Sequence, residues 1–438
     1  MSYRLASGCV AALVVLGCSG SDDETPSSAL ALTWVTAPPA EATSQSDLTL
    51  EARLTKGGKP VANEPFEISV DLGGGSVDAT SATSDASGVV QIAWTLGIPP
   101  IENKLTLAAP GRDLQLDASV SAKVDTPYSP EPFGDVNAYL EAQQNTVSTE
   151  DLAFMGGRLL LGVGADILSL DENANIEAWT LSGTPISRAL GIAADGQGNL
   201  YVADSDGGAL LKVASDKTVS LVTDTNGSEP LQLVNYVALA PNGDVLFSDS
   251  CLGDLVRYDP KTSSVVATLQ LDPSKESGPN GIAVDREGHY AYVLTENTRL
   301  FCNFTNVEVT DNAALYRVDI SGGGLDTPEQ VVGGLGLAGD GLAFDAEDNL
   351  YVIVDKQKGG SLEESAVQVL PAGGQELRPF ISVSNRVIAN IAFGQGAFGE
   401  TTLYAALLAV VPFTPADQRG VQRLEVGVPG LPLLPAGP

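Results

Sequence analysis

Six short stretches of the chain share a pattern, a variable residue followed by a small or apolar run such as Gly-Ile-Ala-Val. They begin at Glu150, Leu190, Asn235, Asn280, Asp340 and Ala389. If the six first residues occupy one structural position, two carboxylates and two amides converge on a common point and form an all-oxygen ring of formal charge −2. Taken out of water, such a ring is costly without a counter-charge. A hard divalent cation, which takes oxygen ligands at about 2.3–2.6 Å, would neutralise it. The chemistry expected of Glu150, Asn235, Asn280 and Asp340 is therefore that of a calcium-type site, with Mn²⁺ or Mg²⁺ as alternatives. Zinc is disfavoured because the single histidine, His289, falls in a turn remote from this position.

The elements that must place these residues are legible around them. The copies recur at roughly 40–60 residues, each followed by a turn and a second β-rich run such as Leu200-Tyr201-Val202, and a four-stranded propeller blade consumes a similar length. Four hairpin turns are marked by residues suited to positive φ. They are Gly196-Gln197-Gly198-Asn199, Pro241-Asn242-Gly243-Asp244, Arg286-Glu287-Gly288-His289 and Ala346-Glu347-Asp348-Asn349. Helical periodicity is absent from these runs, which excludes an α-solenoid. Residues 133–438 thus read as a six-bladed β-propeller with the ring at one mouth of its channel. Asp204, Asp249, Glu296 and Asp355 end second strands on the same face and are candidates for substrate contact on an acidic rim.

Ring identities of Glu, Asn, Asn and Asp in blades one, three, four and five resemble those of the regucalcin/gluconolactonase family and its paraoxonase relatives, six-bladed lactonases and esterases. The phrases Pro279-Asn280-Gly281-Ile282-Ala283-Val284 and Asp340-Gly341-Leu342-Ala343-Phe344 look like the gluconolactonase fourth- and fifth-blade motifs, and Glu150-Asp151-Leu152 looks like the first-blade motif of paraoxonases. The resemblance implies Glu150, Asn280 and Asp340 as metal ligands, and Asn235 as a further ligand or substrate contact. It implies a cation that polarises a lactone or ester carbonyl, and Asp340 as catalytic general base toward water. Two departures stand out. The histidine pair of paraoxonases has no counterpart, and Tyr236 occupies the position where their second calcium takes an aspartate, so one ion is expected. Blade two, with Leu190-Gly191-Ile192-Ala193, looks closer to non-catalytic NHL-repeat propellers, which implies the alternative of a ligand-binding or scaffold propeller.

Residues 30–125 show alternating strands at Leu48–Leu54, Pro65–Leu72, Val89–Leu96, Lys104–Ala108 and Leu114–Val124, separated by Gly- and Pro-rich turns, as expected of a β-sandwich. The stretch Thr83 to Trp94 resembles the immunoglobulin-like modules of invasin-type bacterial surface proteins, which implies a spacer or adhesive role. Thr126-Pro127-Tyr128-Ser129-Pro130-Glu131-Pro132 reads as a stiff connector. The fold class expected is all-β, an immunoglobulin-like sandwich followed by a six-bladed propeller.

At the start, Arg4 precedes an apolar run from Leu5 to Leu16, too short to span a bilayer but suited to a secretion signal. Val15-Leu16-Gly17-Cys18 resembles a bacterial lipobox, implying a signal peptide over 1–17, lipidation at Cys18 and a flexible tether over 18–29. An exported envelope lipoprotein is expected, held to the membrane by its lipid alone. Only Cys251 and Cys302 then remain as unmodified cysteines in the mature chain, and an oxidising compartment favours a disulfide between them. With 55 acidic against 23 basic residues and a net charge of −32, nucleic acid is excluded as a partner. A small lactone or sugar-type ligand and a monomeric state are expected instead. The long interval around Phe301-Cys302-Asn303-Phe304 is a candidate lid.

Overall fold

A computed structural model describes residues 29–272, 276–297, 302, 312–358, 361–383, 386–409 and 419–432. The proposed signal sequence, Cys18 and most of the tether lie outside the described residues, as do Phe301, Asn303 and Phe304 of the suggested lid.

The N-terminal unit is a sandwich of two five-stranded sheets. Strand Asp47–Lys56 alternates buried Leu50, Ala52 and Leu54 with outward residues, and Val89–Thr95 does the same with Val90, Ile92 and Trp94. A two-residue side-chain period places one face of each strand in the core. Phe66, Ile68, Leu105, Leu107, Ala118 and Val120 complete that core from the opposing sheet. Trp94 lies in its centre, and Trp34 packs at its edge.

Residues 131–432 form six sheets arranged as the blades of a propeller, each an antiparallel set of four strands, with one short parallel strand added at the edge of blade two. Innermost strands are preceded or opened by the six repeat residues: Leu152–Met155, Ala189–Ala194, Val234–Leu239, Ser277–Val284, Leu342–Phe344 and Val387–Phe393 in blades one to six. Second strands such as Leu200–Asp204 and Val245–Asp249 are buried at every residue, because neighbouring blades cover both of their faces. An apolar cluster fills each of the six blade-to-blade interfaces. The last of them joins Phe154, Leu159 and Leu161 of blade one to Tyr404, Ala406 and Val421 of blade six. The expected turns form as read, with positive φ at Gly198, Gly243, Gly288 and Asp348. His289 lies in the third of these turns, exposed, its N–H donating to Asp285.

The proline-rich segment corrects one expectation. Rather than a free connector, Glu131–Pro132 is the outermost strand of blade six, paired with Gly420–Glu425, so the chain preceding blade one closes the ring. Just upstream, Tyr128 bridges to Ile381 and packs edge-on against Phe380 of blade five. A short helix, Val136–Ala142, capped by the Asp135 carboxylate, follows the closing strand and was not evident from the sequence pattern. The sandwich is docked as well. Ile101 is buried within the cluster between blades five and six, Arg378 donates to Pro100 O and Ser121 Oγ at 2.9 Å each, and Gly73 N donates to the Glu347 carboxylate at 3.0 Å.

Candidate metal centre at the propeller axis

Register shifts interrupt the innermost strands at the repeat residues: between Ala189 and Gly191, Val234 and Val237, Pro279 and Ile282, and Ile388 and Asn390. In blades one and five, the equivalent pairs Glu150-Asp151 and Asp340-Gly341 lie just before the innermost strand. A bulge places an extra residue in a strand and breaks strict alternation, so two consecutive side chains can face the axis. The first residues form an outer tier, and the next ones, Asp151, Gly191, Tyr236, Gly281, Gly341 and Asn390, form an inner tier.

The inner tier is a hydrogen-bonded plug. Tyr236 Oη donates to Asn390 Oδ1 at 2.9 Å, Asn390 Nδ2 donates to Asp151 Oδ1, and Asp151 Oδ2 accepts from Ile192 N at 2.6 Å. Blades three, six, one and two are thereby joined across the channel. The three glycines leave the room this requires, since a Cβ on Gly341 would overlap the Asn390 amide. Beyond the plug, away from the outer tier, the channel widens into a largely apolar cavity of about 480 Å³, roofed by Tyr236 and Asn390 and lined by residues such as Phe154, Leu239 and Phe344. This apolar cavity is thus on the far side of the plug from the polar groups.

In the outer tier, Asn235 Nδ2 donates both its hydrogens, to Ser250 Oγ at 2.9 Å and to Glu296 Oε1 at 3.1 Å. Asn280 Nδ2 donates to Glu296 Oε2 at 3.1 Å, and Asn280 Oδ1 is buried with no partner among the described residues. Glu150 is held by Arg188 Nη2 at 2.8 Å. Burial raises the pKa of Glu150, and the adjacent guanidinium partly offsets this. Asp340 is raised well above the usual carboxylate range, first by burial and then by repulsion from Asp355, Glu296, Glu150 and Asp151. Burial pushes Glu296 up to about 7 against the stabilising hydrogen bonds from Asn280 and Asn235, and pushes Asp355 up to about 7 against one from Ser365. Asp355 Oδ1 is also buried and unpartnered among the described residues. Every one of these shifts favours the neutral acid, the signature of negative charge crowded in a poorly hydrated site.

The structure therefore links Asn235 to Asn280 through Glu296 and puts Asp340 within electrostatic reach of Glu150. Leu190 and Ala389 contribute no polar side chain. Among the described residues, no group of three or more His, Cys, Asp or Glu side chains is arranged to hold a metal ion. The candidate donor set is instead mixed, two carboxylates with two amide oxygens. It suits a hard divalent cation, and the orphaned Asn280 oxygen lacks the partner that a buried acceptor requires.

Two rim assignments need correction. Asp204 is buried and accepts from Ser187 N, Arg188 N and Gly207 N, while Asp249, fully buried, accepts from the backbone N–H groups of Gln232, Leu233, Cys251 and Leu252. Both carboxylates tie down loops and are not available to a ligand. Glu296 and Asp355, assigned to the same rim, belong to the buried cluster, and Ala338 forms backbone bridges with both. Sequence reasoning missed Asp151, Asn390, Arg188 and Ser250. For the first two a signal existed, one residue beyond each repeat residue, where three glycines share the ring with three larger polar side chains. Cys251 and Cys302 form a disulfide with Cα atoms 5.5 Å apart, beside the loop that carries Ser250.

A six-bladed propeller with an oxygen-lined, acidic axial mouth defines the class of this protein. Residues 163–406 match the family described as SMP-30/Gluconolactonase/LRE-like region, and the chain belongs to that family. No curated protein matches the sequence. Among solved structures, a calcium-binding protein, regucalcin, from Agrobacterium tumefaciens shares 17% identity over 70% of this chain and 97% of its own, with a TM-score of 0.49. A putative gluconolactonase shares 18% identity over 69% of this chain and 94% of its own, with a TM-score of 0.48. A gluconolactonase from Xanthomonas campestris shares 17% over 65% and 86%, with a TM-score of 0.46.

Proposed function

We propose that the propeller is a divalent-cation-dependent hydrolase of lactones or related carboxylic esters, carried by an exported lipoprotein. The observation that carries this reading is the buried, unpartnered Asn280 Oδ1 in the same mouth as the Asp340 and Glu150 carboxylates. Glu150, Asn235, Asn280 and Asp340 would hold the ion, calcium by the hardness of the donors. When bound, such an ion supplies Lewis acidity toward a carbonyl oxygen and acidifies a water.

The chain's own residues do the remaining work. Arg188 fixes Glu150 through its ion pair, and Glu296 and Ser250 fix the two amides. Asp340 accepts a proton from the attacking water as general base, and its close like-charged neighbours make that proton easier to retain. No histidine is available for this step, because His289 sits in an exposed turn. Asp355, whose Oδ1 lacks a partner among the described residues, would accept a hydrogen bond from a hydroxyl of a sugar-type ligand. The Val15-Leu16-Gly17-Cys18 motif supports export with lipidation at Cys18, and the Cys251–Cys302 disulfide is in keeping with an oxidising compartment.

The test is lactone opening by the purified mature chain, with chelator and after return of Ca²⁺ or Mn²⁺. Activity lost on chelation and restored by the cation is expected. Cation uptake with no turnover across a broad lactone and ester panel would overturn the hydrolase and favour the ligand-binding alternative, to which the oxygen-free blade-two position is suited.

A further inference from the structure

Two asparagine amides facing a cation site, Asn280 buried and Asn235 half-buried, present a problem of orientation, since each can offer the site either its oxygen or its NH₂ group. Glu296 resolves it for both. It is the penultimate residue of the second strand of blade four, Tyr290–Asn297, is buried, and its backbone is pinned by the bridge to Ala338. One carboxylate oxygen takes Asn235 Nδ2 and the other takes Asn280 Nδ2, each at 3.1 Å. With one Glu296 oxygen accepting from each amide, both asparagines are held with their nitrogens turned toward Glu296. The second hydrogen of Asn235 Nδ2 goes to Ser250 Oγ, whose own hydrogen goes to Pro279 O at 2.8 Å. That turns the oxygen of each amide away from Glu296, and in Asn280 this oxygen is buried with no partner among the described residues.

We infer that Glu296 is the positioning residue of the cation site: a single carboxylate bridges blades three and four and fixes both asparagine oxygens toward the ion, without ligating it. The inference rests on the reading of Asn235 and Asn280 as cation ligands. It also accounts for a carboxylate buried beside the ring at a sequence position from which a rim contact was expected.

The experiment is calorimetric titration of Ca²⁺ into the metal-stripped full chain, for the unmodified protein, Glu296→Gln, Asn280→Asp and the double variant. A glutamine offers one oxygen to two amides and brings an NH₂ group of its own, so one asparagine must reverse. Affinity should fall about 10- to 100-fold, the range for loss of a residue that orients metal ligands. In the Asn280→Asp background orientation no longer matters at position 280, because both carboxylate oxygens accept, and a glutamine amide at position 296 can donate to that new carboxylate. There, adding Glu296→Gln should change affinity less than about threefold, and this non-additivity is the expected signature. If Glu296 were itself a ligand, or acted only through its charge, the loss would be equal in both backgrounds, and that result overturns the inference. Should Glu296→Gln alone fail to fold, the Asn280→Asp pair decides, with an undiminished affinity supporting positioning and a tenfold loss opposing it. No Ca²⁺ uptake by the unmodified chain would instead overturn the metal reading on which all four proteins depend.

Discussion

Asp340 concentrates the conflict between stability and function. Half-buried, it is held toward the neutral acid first by loss of solvation and then by repulsion from Asp355, Glu296, Glu150 and Asp151. Replacing it with asparagine removes that repulsion at nearly constant volume. Asp340→Asn is therefore expected to stabilise the cation-free protein at pH 7.5 by about 1 kcal/mol, while lowering Ca²⁺ affinity and hydrolysis at least tenfold. Thermal unfolding with and without Ca²⁺ checks both halves. A cation-free midpoint lowered by the substitution would contradict the account of crowding. At this scale the four ring residues could be read from the sequence because the repeat puts them in register. The roles of Asp204 and Asp249 could not, since spacing reports which end of a strand a carboxylate occupies but not whether nearby backbone N–H groups already hold it. For Glu296 and Asp355 the correct mouth was identified, but their burial within the cluster depends on tertiary packing.

Strand bulges and the disulfide act at the scale of elements. The blade pattern was legible because an innermost strand, a Gly- or Asp-bearing turn and a buried second strand recur at a nearly constant interval. The bulges were not legible, because one extra residue in a strand leaves no mark on composition, and the Asp151–Asn390–Tyr236 plug went unseen with them. The proline-rich segment misled for a related reason. Three prolines suit an extended conformation, and an outermost edge strand is also extended and tolerates proline. The disulfide joins the loop after the second strand of blade three to Cys302, which follows the second strand of blade four, with a sequence separation of 51. Changing both cysteines to serine is expected to cost about 2–4 kcal/mol, because the unfolded chain regains the freedom of that loop. Denaturant unfolding of the double variant under non-reducing conditions measures this, and a midpoint equal to that of the unmodified protein would contradict a structural role.

Across the whole molecule, the sandwich is fastened to the propeller rather than held apart as a stalk. Ile101, Arg378 and the Gly73–Glu347 contact make the joint. Partial burial, with a further push from Asp345, raises the Glu347 pKa to about 7, although the Gly73 N–H favours the charged form. The folded value lies above the unfolded one. The group's contribution to stability is therefore fully present below about pH 4.5 and is lost as pH rises through about 7. The unfolding midpoint should decline between about pH 4.5 and 7 in the unmodified protein more than in Glu347→Gln, whose amide oxygen can still accept from Gly73 N. Parallel declines would show that Glu347 does not couple docking to pH. Separate domains were expected because each has its own strand pattern and a proline cluster lies between them. Docking depends on a few residues scattered through both, which no local pattern marks.

The central claim is that Glu150, Asn235, Asn280 and Asp340 share one divalent cation at the propeller axis. The most direct measurement is calorimetric titration of Ca²⁺ into the metal-stripped chain beside Asp340→Asn and Asn280→Ala. The account predicts one ion per unmodified chain and at least tenfold weaker uptake by each variant. An unmodified chain that takes up no ion, or variants that bind as tightly as it does, would contradict it.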